Sequence, residues 1–127
     1  MRGANAKMNY NLEERTARFA ENVIDFVKSI GLTSINKRIV EQLIGSAGSV
    51  GANYCEANEA ESRRDFIHKI SIAKKEIKET KHWLRLLARV ETLRAEDIKK
   101  LWEETQELLL IFSKIITTSK KNEKESN

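Results

Sequence analysis

Two carboxylates one helical turn apart, Glu76 and Glu79, with His82 a further turn on, are the residues of this chain whose spacing first suggests chemistry. Glu-x-x-His on a bundle helix is the element from which di-iron carboxylate sites are built, but such a site needs a second copy on another helix. The only other histidine, His68, lies in the same segment, so no metal site is expected. A pair of acids could also serve as general acid and base, yet no nucleophile, phosphate loop or metal cluster accompanies it. Glu76 and Glu79 therefore read as buried or interfacial hydrogen-bonding groups on a flank otherwise apolar through Ile72, Trp83 and Leu86, with Asn53 and Glu56 as further polar candidates for the same role. Cys55 has no histidine near it in sequence and does not read as a nucleophile.

The run Gly45-Ser46-Ala47-Gly48-Ser49-Val50-Gly51 has neither the order of a dinucleotide-binding loop nor a following Gly-Lys-Ser/Thr, so it does not hold phosphates. Three glycines at three-residue spacing inside a helix each cost about 1 kcal/mol relative to alanine. Gly45, Gly48 and Gly51 are thus expected where another backbone approaches closely, within the chain or between chains.

The remaining candidate is electrostatic. Residues 63–91 hold nine basic and four acidic residues, while the whole chain is only +4. At about 100° per residue, Arg63, Lys74, Lys78, Lys81, Arg85 and Arg89 fall within one arc of a helix, to one side of its apolar stripe. Such a strip can track phosphates of RNA or DNA, giving affinity and salt dependence without reading sequence. Its ordinary alternative is a solvated helix face. Trp83 and Trp102 could stack on bases or pack in the bundle.

These residues need helices to position them. With no proline, five glycines and 33% charged residues in 127, the composition allows long uninterrupted helices and starves a β fold of turns. Leu12, Phe19, Val23, Phe26 and Ile30 predict a first helix over about 11–30, stopped by Gly31. Thr33 or Ser34 caps a second, carrying Ile39, Leu43, Ala47, Val50, Tyr54 and Ala57 on one face and reaching about 61. Ser62 and Asp65 open a third over about 63–91, with Phe66, Ile70, Ala73, Ile77, Thr80, Leu84 and Leu87 inward. After a turn at 91–94 a fourth runs to about 118, with Ile98, Leu101, Thr105, Leu108, Phe112 and Ile115 inward and Trp102, Leu109 and Ile116 beside them. The short connections make neighbours antiparallel, so the expected fold is all-α: an up-down-up-down four-helix bundle over 11–118, with a flexible segment at 1–10 and a disordered polar tail at 119–127.

The longest apolar run, Leu108 to Phe112, is far short of the roughly 20 residues of a membrane span. One cysteine and no secretory signal point to the cytoplasm, with Met8 an alternative start to Met1.

Gln42-Leu43, the run from Ser46 to Tyr54 and Glu56-Ala57, together with Asp65-Phe66-Ile67, Lys69, Ile72-Ala73, Lys75-Glu76, Glu79-Thr80 and Trp83-Leu84, resemble the signature of the ribosomal-RNA intervening-sequence protein family over about residues 12–117. Ala57 stands where many members have glycine. The resemblance implies a four-helix bundle assembled as a ring-like homo-pentamer, sometimes encoded within intervening sequences of 23S ribosomal RNA genes, and brings no catalytic residues or cofactor. A related bundle, the accessory protein of diversity-generating retroelements, is a basic pentameric barrel that binds nucleic acid. The chain is accordingly expected to be non-enzymatic and homo-oligomeric, binding RNA or DNA backbone through the basic strip, without a small-molecule substrate. The alternative is an oligomeric protein–protein scaffold.

Overall fold

The structure is a computed structural model describing the backbone of residues 2–126 and the side chains of residues 12–124; the segment expected to be flexible at 1–10 lies outside the described side chains. Four α-helices follow one another: α1 (Arg2–Ile30), α2 (Lys37–Asn58), α3 (Arg63–Val90) and α4 (Ala95–Ser126), with a 3-10 turn at Thr92–Arg94 and no strand among the described residues.

The helix ends have local causes. Gly31 adopts a positive φ of 74°, the left-handed conformation that closes α1. Thr33 and Asn36 then form a reciprocal cap: the Thr33 N–H donates to Asn36 Oδ1 at 2.8 Å, and the Asn36 N–H to Thr33 Oγ1 at 3.1 Å. Ser62 Oγ accepts from the Asp65 N–H at 3.0 Å to start α3. Three ends differ from the sequence expectation: α1 begins at Arg2 rather than 11, so the backbone of the segment expected to be flexible is helical from residue 2. α2 stops at Asn58 rather than 61, its last carbonyls taken by the N–H groups of Glu59 and Ala60. α4 is helical to Ser126, past the expected end near 118, because no glycine or proline follows to stop it and lysine and glutamate are good helix formers.

Around the bundle, α2 packs most extensively on α3, then α3 on α4, then α1 on α2, with α1 and α4 touching least, while α2 and α4 meet across the core only through large side chains such as Tyr54 and Phe112. Cross-helix contacts give the direction. Ser46 meets Thr80 while Glu56 meets Lys69, and Arg15 meets Glu104 while Phe26 meets Arg94, so neighbours run antiparallel.

The apolar stripes meet inside. Leu43, Val50, Tyr54, Ile70, Ile77, Leu84, Leu87, Leu108 and Phe112 are fully buried, Tyr54 stacking on Phe112 with ring centroids 5.8 Å apart. The phase shifts at two helix starts: Val40 and Ile67 are buried, while Ile39 and Phe66 are only half-buried. Polar groups within the core are bonded. Thr80 Oγ1 lies 2.9 Å from Ser46 Oγ, and Asn36, 0% exposed, donates from Nδ2 to the Gly31 carbonyl and to Glu91 Oε2, each at 3.1 Å. Asn36 thereby ties the ends of α1, α2 and α3 together at one end of the bundle.

Candidate nucleic-acid interface

The basic strip lies on α3, whose apolar side is fixed between α2 and α4. Lys78, Arg85, Arg89 and Arg63 are exposed, and Lys74 and Lys81 half-buried. Their environment differs from that of a mixed-charge helix face. Among the described residues no carboxylate pairs with Lys74, Lys78, Lys81, Arg85 or Arg89, whereas Lys69 on the same helix is held by Glu56 Oε1 at 2.9 Å, which raises its pKa. Lys81 points to α4: its ammonium donates to Gln106 Oε1 and stands 4.9 Å from the ring centroid of Trp102. Both contacts leave its charge uncancelled.

Next to Lys81, a groove of about 380 Å³ runs between α3 and α4. Arg85 and Lys99 border it, Trp102 lines it, and Leu84 and Ile98 form its buried floor. Lys99 and Gln106 escaped the sequence reading, since they extend the strip from another helix; Lys99 and Trp102, three residues apart on α4, were its legible signal.

On the opposite flank of α3, Gln42, Glu79, Lys75, Lys78, His82 and Trp83 line a second groove against α2. His82 stands edge-on to Trp83 at 5.0 Å. Glu76 is half-buried and Glu79 exposed, and neither carboxylate receives a hydrogen bond within the described residues, unlike the bonded pair expected from sequence. Removal from water raises the Glu76 pKa, the charge of Glu79 raises it further, and Lys75 opposes both. Asn53 bonds only its own helix, Nδ2 donating to the Ser49 carbonyl at 2.8 Å.

The glycines divide. A Cβ at Gly51 would lie 3.1 Å from Thr16 Oγ1, so α1 approaches α2 closely there, as expected. At Gly45 and Gly48 a Cβ would meet nothing within 4 Å, so neither has a neighbour inside the chain that requires glycine. Cys55 is exposed beside Gly48, Gly51 and Thr16 in a shallow groove. Among the described residues no group of three or more His, Cys, Asp or Glu is arranged to hold a metal ion, and no helix is long and apolar enough to cross a membrane.

The description "23S rRNA-intervening sequence protein" matches residues 9–114. The chain belongs to that family. The structure of a protein of unknown function from the S23 ribosomal protein family of Bacteroides thetaiotaomicron is similar at 32% identity, with a TM-score of 0.71 over 82% of this chain and 96% of that one. No curated protein matches. The matched segment spans the strip, both grooves and the three glycines.

Proposed function

We propose that this intervening-sequence protein acts without catalysis, as a cytoplasmic homo-oligomer that holds the backbone of RNA or DNA on the basic strip of α3. One observation carries the reading: Lys74, Lys78, Lys81, Arg85 and Arg89 share a helix face, and among the described residues no carboxylate pairs with any of them. An ordinary solvated face intersperses acids that satisfy its cations, whereas a face of uncompensated cations attracts a polyanion and releases its counterions. The family name agrees with an RNA setting.

Assembly is supported by features outside the strip. Gly45 and Gly48 face open space, and Glu76 is partly desolvated without a partner, as expected of groups completed by a second copy. A ring, the pentamer implied by the family resemblance, would repeat one weak site and raise avidity without new contacts.

The test is an anisotropy titration of RNA and DNA at several salt concentrations, with light scattering for the mass. Affinity should fall steeply with salt and vary little with sequence, and the mass should be a multiple of 14.6 kDa. No binding at low salt overturns the nucleic-acid reading, and a monomer at micromolar concentration overturns assembly. The second reading, a scaffold for a protein partner, is favoured by Leu32, Ile35 and Leu93, which are 63%, 71% and 97% exposed in the loops at one end of the bundle.

A further inference from the structure

We infer that the groove between α3 and α4 receives an unstacked base of a single-stranded nucleic acid, the adjoining phosphates resting on Arg85 and Lys99. The inference builds on the backbone-binding reading and adds a site for the base.

The groove offers what a nucleotide needs in one place. Leu84 and Ile98, 0% and 2% exposed, make an apolar floor, and Trp102 contributes an indole to the wall. Ala88 and Ala95, from the two facing helices, are short enough to leave about 380 Å³ open. A flat aromatic ligand gains dispersion and stacking there, and every base has such a face. The rims carry the complementary charge: Arg85 from α3 and Lys99 from α4 stand on either side, with the Lys81 ammonium 4.9 Å from the Trp102 ring. A flat apolar slot between two cations fits a base joined to phosphates better than it fits a neutral aromatic side chain, which would leave the cations unused.

Other grooves lack this combination. The one beside Trp83 includes Glu79, the one between α1 and α4 includes Glu104, and the one beside Cys55 includes Glu13. Glu79 and Glu13 would repel a phosphate, and in the α1–α4 groove the Arg15 guanidinium is already taken by Glu104. The α3–α4 groove is lined by cations without an acid. A paired duplex keeps its bases stacked inside, so the ligand class is single-stranded.

The experiment uses the full chain and three fluorescein-labelled probes: oligoadenylate of about twelve nucleotides, an abasic strand of the same length and charge, and a duplex. Oligoadenylate should bind about tenfold or more tightly than the abasic strand at equal salt, with a similar salt slope. In a Trp83→Phe background it should quench the fluorescence of Trp102. Ala95→Leu, at an exposed position, should fill the groove, removing the advantage of bases and leaving abasic affinity unchanged. Equal binding of oligoadenylate and abasic strand by the wild type overturns the base site and leaves the backbone reading standing. A base preference that survives in Ala95→Leu overturns the groove as its location, and failure of all three probes to bind overturns both readings.

Discussion

The two flanks of α3 each hold basic residues and one tryptophan-lined groove, yet they are built to opposite ends. Toward α4, Lys81 meets Trp102 and Gln106, Arg85 and Lys99 border the groove, and among the described residues no carboxylate lines it. Toward α2, Lys69 is neutralised by Glu56, the buried Thr80–Ser46 contact locks the helices together, and Glu79 lines the groove beside Trp83. One helix thus separates its charges across its width instead of alternating them along its length. Alternation would give a solvated face stabilised by i,i+4 pairs; separation gives one side suited to a polyanion and another suited to a protein surface.

Reversing charge on each flank in turn breaks the comparison most severely. Lys81→Glu with Arg85→Glu should weaken nucleic-acid binding at low salt by about tenfold or more, by removing phosphate contacts and adding repulsion. Glu76→Lys with Glu79→Lys should leave binding at least as tight and lower the oligomer mass. Equal losses of binding in the two double variants would show that net charge, not the α4 flank, governs it.

A smaller effect sharpens the structural side. Thr80→Val removes the hydroxyl that contacts Ser46 Oγ at 2.9 Å, and Ser46 keeps its bond to the Leu43 carbonyl. Stability should fall by about 1 kcal/mol, read as a lower denaturant midpoint with an unchanged slope and unchanged affinity for RNA. A loss of RNA affinity at equal stability would couple the flanks that the structure keeps apart.

The smallest effect is a pH dependence. Folding raises the Glu76 pKa above its ordinary value of 4.5, so the folded state binds more protons than the unfolded chain just above that pH. Glu76 should therefore cost stability progressively as pH rises through the window from 4.5 upward. For the unassembled chain, Glu76→Gln should flatten this decline in thermal midpoints and stand slightly above wild type at neutral pH. A partner supplied by a second chain would reverse the sign, and Gln would then lower both midpoint and oligomer mass.

Much of the fold was legible because burial follows helical period. Leu43, Ala47, Val50, Ile70, Ala73, Ile77, Thr80, Leu84, Leu108 and Phe112 are inward where periodicity puts them. The stop at Gly31 and the cap at Ser62 were legible for the same reason, since each is decided within a few residues, whereas Thr33 closes the turn ahead of α2 and Asn36 holds the position before its first residue, Lys37. Asn36 was not legible, because its role depends on Glu91, distant in sequence. The candidate site was half legible. A helical wheel places Lys74, Lys78, Lys81 and Arg85 on one arc, but it carries no information on α4, which turns Lys81 onto Trp102 and adds Lys99. The glycine spacing likewise marked close approach without telling Gly51, which needs it within the chain, from Gly45 and Gly48, which do not.

The most direct test of the central claim is the salt dependence of binding by the wild type and by the quadruple variant Lys74→Gln, Lys78→Gln, Lys81→Gln, Arg85→Gln, measured by anisotropy with single-stranded RNA, structured RNA and duplex DNA. A backbone interface predicts that the folded variant binds all three more weakly, with a log–log slope reduced by about 1 for each lysine or arginine that had touched a phosphate. Equal affinity and equal slope for wild type and variant would contradict it.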